Sequence, residues 1–372
     1  MKFLHLADLH IGKRLHEYSL LDDQRDVLKQ ALDLAKDEQC DFVIIAGDVY
    51  DKASPSVEAM SLFDSFLTGL CEARIPSYII SGNHDAAGRI SYFSELLEKN
   101  GVHVSGAFDG KIQTFASPDG TADIHLLPFL RPMDVRRCYP DASVNTYEEA
   151  LRTVLAHSPI DKARANILVS HQFITGGATC DSEEFAIGGL DNISAEVFAN
   201  FDYVALGHLH QSQCCSRNTI RYAGSPLKYS VSEEHQRKSF LIVEMAGKED
   251  ITFRQIPVKL PHDVRTVRGT FEELQNARYT EDYVHVILTD EIPAPDARIT
   301  LRSTYPKMLK FSVENSKTSY EINVAAEESF ESKSPLELFT DFFAFRNNGA
   351  APSEQQLEIV RRIFTELEER QA

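Results

Sequence analysis

The chain reads as an α/β layered domain followed by a small α+β unit and a C-terminal pair of helices. Three observations predict this. Over about the first 250 residues, short apolar runs alternate with amphipathic helical stretches. From about residue 260 the texture shifts to short helix-like stretches and alternating strands. Two capping boxes, Ser334-Pro335-Leu336-Glu337 and Ser353-Glu354-Gln355-Gln356, then each open an apolar-faced helical pattern.

The strands of the first domain, residues 1–259, are expected at FLHLA (3–7), DFVIIA (41–46), SYIIS (77–81), IHLLPF (124–129), NILVS (166–170), YVALG (203–207) and FLIVEM (240–245). Helical patterns fall between several of them, at 21–36, 56–70 and 91–99. In the small unit, 260–325, EELQNAR and 295–304 look helical, whereas HVILTD and KMLKFSVEN alternate as strands do. Residues 326–333 are polar and read as a linker. Over 334–372, Leu338, Phe339, Phe342 and Phe343 share one apolar face. Leu357, Val360, Ile363 and Phe364 share another.

Composition excludes several classes. The excess of 56 Asp+Glu over 38 Lys+Arg, a formal charge of −18, argues against binding nucleic acid by bulk charge. It leaves room for a local cationic site, because bound metal ions can reverse the field where they sit. Six cysteines with no Cys-x-x-Cys pair suggest neither a disulfide framework nor a zinc knuckle, so a reducing cytoplasm is expected. No apolar run approaches a membrane span, and the N-terminus, broken by His5, Asp8 and His10, is no signal peptide.

The residues just after the apolar runs carry the chemistry. FLHLA leads into Asp8-Leu9-His10, VIIA into Gly47-Asp48-Val49-Tyr50-Asp51, and YIIS into Gly82-Asn83-His84-Asp85. ILVS leads into His171, and YVAL into Gly207-His208-Leu209-His210. Each piece alone has a bland reading as a polar turn or a satisfied strand-end residue. Five strand ends that all deliver metal-competent side chains are hard to explain that way, since such ends converge at one sheet edge. Two Asp, one Asn and four His form an oxygen and nitrogen donor set without thiolate, which suits manganese, iron or zinc. Seven ligands are too many for one open site. They match two ions sharing a bridging carboxylate, the clamp of phosphoryl chemistry.

These five signatures resemble those of the calcineurin-like metallophosphoesterases. The flanks HLADLHIGKRL, AGDVYDKASPS, SGNHDAAGRISYFSELLEKNGVHVSG, PFLRP and YAGSPLKYSVSE narrow the resemblance to the SbcD family, the nuclease subunits of bacterial SbcCD complexes. The resemblance covers nearly the whole chain and implies a four-layer αββα sandwich with a small capping domain. It implies a first ion held by Asp8, His10, Asp48 and His210, and a second by Asp48, Asn83, His171 and His208, with manganese the usual metal. It further implies exonuclease and endonuclease activity on double-stranded DNA, ends and hairpins included, in repair and recombination. His84, beside a ligand, is then left to face the phosphate or the leaving 3′ oxygen as a catalytic group, and Asp51 to orient it. Asp85 is expected to be a turn carboxylate.

Candidate DNA contacts are Lys13, Arg14 and His16 beside the first signature, Arg89, and Arg131 with Arg136 and Arg137; plain surface charge is the alternative for each. The family implies a partner, an SbcC-type coiled-coil ATPase docked on the C-terminal helices, and a homodimer formed through the nuclease domain. The rivals are a phosphoesterase for small phosphodiesters or phosphoproteins, and a scaffold without catalysis. For the helices, the rival is packing back on their own domain.

Overall fold

The computed structural model describes residues 1–183, 192–316, 335–347 and 350–371. The chain divides into two compact units, Met1–Val264 and Arg265–Ala372.

The first unit is built on two six-stranded sheets. One runs, edge to edge, Ile251–Pro257, Ser239–Met245, Lys2–Leu6, Phe42–Ala46, Ser77–Ile80 and Val102–Ser105; its last four strands are parallel, and the first two form an antiparallel flank. The other runs Gln213–Cys215, Arg217–Tyr222, Tyr203–Gly207, Ala165–His171, Ala122–Leu127 and Gln113–Ala116, with four parallel strands between antiparallel edges. Alternate residues of both sheets meet in one core. Phe3, Phe42, Ile44, Tyr78 and Ile80 come from one side, and Ile124, Leu126, Ile167, Val169 and Tyr203 from the other. Phe3 stacks on Phe42 with ring centroids 4.7 Å apart and meets Tyr203 edge-on.

With the inner faces taken, the crossover helices cover the outer ones. Leu21–Asp37 buries Val27, Leu28, Ala31 and Ala35, and Val57–Glu72 buries Leu62, Phe63, Phe66 and Leu70. On the far side Ala150, Leu151 and Val154 of the helix Tyr147–Ala156 pack with Leu168, Val204 and Leu206. The layers are therefore helix, sheet, sheet, helix.

One helix differs from expectation. The stretch 91–99 is not continuous, because Phe93 takes a left-handed φ of 66°, leaving the short helices Ala87–Ile90 and Ser94–Glu98. Its amphipathic spacing is real, but a residue with positive φ ends the helical ladder.

In the second unit, Val264–Gly269, Tyr283–Leu288 and Met308–Val313 form a three-stranded sheet, with Phe271–Gln275 and Ala297–Leu301 packing Leu274, Ala297 and Leu301 against Val284, Val286 and Leu288. Two helices follow, Pro335–Arg346 and Glu354–Gln371. The second capping box is formed: Gln356 N–H donates to Ser353 Oγ, and Ser353 N–H donates to Gln356 Oε1 at 2.8 Å. Ser334 and the expected linker 326–333 lie outside the described residues, as do the side chains of Leu338 and Phe364. Phe339 and Phe343 pack with tilted rings, centroids 5.9 Å apart, Leu357 and Val360 are half-buried, and Phe342 and Ile363 stand exposed at 61% and 49%.

Candidate metal centre

Strand register brings the five signatures together. Leu6 pairs with Ile45, Ala46 with Ile80, and Gly207 with His171, so the loops within each sheet leave at matching levels. The two sheets approach closely there. A Cβ on Gly207 would lie 1.9 Å from the Ala46 carbonyl oxygen, and one on Gly82 would lie 2.0 Å from Asp48 Oδ1. Neither position can carry a side chain without moving the loops.

The ligand-bearing residues also sit in costly backbone states. Asp8, His10, Asp48 and His208 all have positive φ, at 53°, 41°, 48° and 107°. Each such residue costs on the order of 1–3 kcal/mol and persists only where its surroundings over-determine it. Those surroundings are visible. Asp8 N–H donates to the Gly47 carbonyl and His10 N–H to the Asp48 carbonyl. Gln24 donates to the His10 carbonyl at 2.7 Å, and the Tyr229 hydroxyl donates to the Leu9 carbonyl at 2.5 Å.

The side chains converge in two groups. In one, His10 Nε2 and His210 Nε2 lie 3.2 Å apart beside Asp8. In the other, Asn83 Oδ1 stands 3.0 Å from His171 Nε2 and 3.1 Å from His208 Nδ1. Asp48 Oδ2 lies between them, 3.6 Å from His10 Nε2 and 3.4 Å from His171 Nε2. Ligand atoms at about 2.1 Å from one octahedral cation stand about 3 Å apart, so both spacings fit a shared ion. Asp8 Oδ2 is buried with no hydrogen-bond partner among the described residues, a cost that a cation would remove.

Electrostatics agree with the donor chemistry. Burial pushes the Asp8 carboxyl up to about 7 and holds the His208 imidazole down at about 3. A cation would stabilise the carboxylate, and a neutral imidazole offers it a lone pair. For His171 burial pulls downward, but the carboxylates of Asp48 and Asp8 outweigh it and raise the imidazole to about 9. A cation binding there must displace that proton.

Around this set, His84 donates its main-chain N–H to Asp48 Oδ1 at 3.0 Å, and its Nδ1 lies 3.0 Å from the main-chain carbonyl of Asp51. Sequence reasoning assigns the Asp51 carboxylate that task. The carboxylate also accepts from Lys13 Nζ at 2.8 Å and lies 3.8 Å from His10 Nδ1. Asp85 accepts from the amides of Gly82, Val49 and Tyr50 at 2.9, 3.1 and 3.0 Å, tying two signature loops together.

The basic candidates are spread out. Lys13 is engaged by Asp51, whereas Arg14, His16, Arg89 and Arg131 are exposed. Arg131 lies over the Phe129 ring, which meets His171 edge-on, and is thus an exposed cation that a chain of ring contacts joins to a ligand. Arg136 is committed to the Val144 carbonyl. Sequence reasoning assigns no role to Ser182, Gln24, Tyr229, Glu233 and Lys238, although Tyr229 and Glu233 fall within the flank YAGSPLKYSVSE.

The family model described as calcineurin-like phosphoesterase matches residues 1–212, and the chain belongs to that class of metal-dependent phosphoesterase. Within it the chain belongs to the SbcD family, the D chains of SbcCD nucleases. It is 33% identical to the SbcD chain of the SbcCD nuclease of Staphylococcus epidermidis over 84% of this chain and 85% of that protein. It is 31% identical to the corresponding SbcCD nuclease chain of Staphylococcus saprophyticus over 99% of this chain and 98% of that one. Residues 260–347 match the model described as type 5 capsule protein repressor C-terminal domain. A solved dimetal phosphatase from Danio rerio aligns at TM-score 0.42 and 13% identity, covering 70% of this chain and 99% of that one, too distant to inform on the site.

Proposed function

We propose that this chain is the nuclease subunit of an SbcCD-type complex, hydrolysing phosphodiester bonds of double-stranded DNA with two divalent ions, manganese foremost. The observation that carries this is the single Asp48 oxygen standing between two clusters of lone-pair donors. Asp8, His10 and His210 would hold one ion and Asn83, His171 and His208 the other, with Asp48 shared. When bound, such ions neutralise phosphate oxygens and supply a nucleophile at neutral pH.

The chain's own part is positioning and proton handling. His84 is anchored through its main-chain N–H and its Nδ1, and its ring meets that of His10 edge-on with centroids 4.8 Å apart. It is only partly buried, so a substrate can reach it. From there it can hydrogen-bond or protonate the departing 3′ oxygen. Exposed Arg131, with Arg14, His16 and Arg89, offers phosphate contacts.

Partners complete the proposal. The exposed Phe342 and Ile363 mark the apolar faces that would dock on a coiled-coil ATPase, which would gate access of duplex DNA. A second copy would seat on the exposed Val57, Tyr92, Phe93 and Leu96; Tyr92 and Phe93 rim an apolar cleft of about 250 Å³ that Met60, Phe63 and Ile90 also line. The location proposed is cytoplasmic, where six free cysteines stay reduced. No helix among the described residues is long and apolar enough to cross a membrane.

The test is cleavage of end-labelled hairpin and blocked-end duplexes with manganese, with and without the ATPase partner and ATP. Metal-dependent cutting that chelation abolishes is expected. Turnover of a small phosphodiester with no cutting of duplex DNA, partner present, would contradict the proposal.

A further inference from the structure

Behind the proposed centre, outside all five signatures, lies one buried ion pair. Glu233 is fully buried, and Lys238 is 5% exposed. Lys238 Nζ donates to Glu233 Oε2 at 2.5 Å, and also to the His210 carbonyl at 2.9 Å, Ser225 Oγ at 2.8 Å and Gln236 Oε1 at 2.7 Å. Glu233 Oε1 accepts from the Tyr229 amide at 3.0 Å and from Ser182 Oγ at 2.6 Å. It lies 3.5 Å from His210 Nδ1. Ser182 closes the chain, accepting from His210 Nδ1–H at 2.8 Å while donating to Glu233.

A fully desolvated carboxylate and ammonium seldom add stability over an apolar pair of the same shape, so this pair calls for another role. Its contacts converge on one residue. His210 is held at its carbonyl by Lys238, at its N–H by Glu183 Oε1 at 2.6 Å, and at its Nδ1 by Ser182. By contrast, His171 meets a neutral acceptor, the Ala46 carbonyl, at 2.9 Å.

We infer that Ser182, Glu233 and Lys238 form a positioning relay that fixes the His210 tautomer and makes the affinity of the first ion depend on the Glu233 charge. The inference rests on the two-ion reading above. The proton order is consistent along the chain. His210 Nδ1–H donates to Ser182, whose hydroxyl donates to the carboxylate, which leaves His210 Nε2 with its lone pair toward Asp8 and His10. A carboxylate behind an imidazole also strengthens it as a ligand, and loss of such outer partners costs about 10–100-fold in metal affinity. These are positioning residues: none of them contacts the reacting atoms.

Calorimetric titration of the full chain with Mn²⁺ tests this, using Glu233→Gln, Ser182→Ala and Ser182→Thr. Because Glu233→Gln strands a buried ammonium and endangers folding, Ser182→Ala, which leaves the ion pair in place, is the decisive variant. The parent is expected to bind two ions. Ser182→Ala should weaken one of them about 10–100-fold, leave the other unchanged and keep the apo melting temperature, while Ser182→Thr restores the parent isotherm. Parent-like binding of both ions in Ser182→Ala, or equal weakening of both, would overturn the relay. A parent that binds fewer than two ions would overturn the two-ion reading, and the relay with it.

Discussion

His171 and His210 belong to the two halves of the proposed centre, and each commits its Nδ1 to a different kind of partner. His171 donates to the main-chain carbonyl of Ala46, which the first sheet supplies as part of its own strand. His210 donates to Ser182, backed by Glu233 and Lys238, side chains brought in from loops and from the short 3-10 helix Val231–Glu233. One anchor comes with the fold and no substitution removes it. The other is a set of side chains that substitution can tune. The half holding His171 should therefore be the robust one, and the half holding His210 the adjustable one.

The largest effect should come from the residue the halves share. Asp48→Asn is expected to abolish cleavage and weaken both ions, because its Oδ2 lies beside His10 and His171 alike. Manganese titration together with duplex cleavage checks this. Next, His84→Gln should cut cleavage by roughly 10²–10⁴-fold while both ions bind as in the parent. Loss of an ion in that variant would show that His84 is a ligand.

Asp85→Ala removes the acceptor for three loop amides and should lower stability by about 3 kcal/mol, read from chemical denaturation of the apo chain. Smallest of all, removing residues 335–372 should leave both metal affinities unchanged while abolishing binding to the ATPase partner. Retained partner binding would remove the docking role from these helices.

The same contrast explains what is legible in the sequence. The central parallel strands announce themselves because both of their faces are buried, so Phe42–Ala46 and Tyr203–Gly207 read as unbroken apolar runs. The flanking strands Gln113–Ala116, Gln213–Cys215 and Ile251–Pro257 go unseen, since half-exposed edges carry mixed residues. The break at Phe93 is invisible for another reason: apolar spacing does not report φ.

At the centre, every residue directly following a central strand can be singled out. The roles of Tyr229, Glu233 and Lys238 cannot be read, even though YAGSPLKYSVSE holds the first two, because their tie to His210 and its neighbours is purely spatial. Asp51 illustrates a finer limit. Its position beside His84 is readable, but not that its main-chain carbonyl meets the ring while the carboxylate also meets Lys13 and His10.

The central claim is that one chain assembles two ion sites joined by Asp48. Manganese titration of the parent beside Asp48→Asn, His171→Ala and His210→Ala tests it most directly. Two ions per parent chain are predicted, with one weakened in each histidine variant, a different one in each, and both weakened in Asp48→Asn. A single ion in the parent, or an Asp48→Asn variant that loses only one, would contradict it.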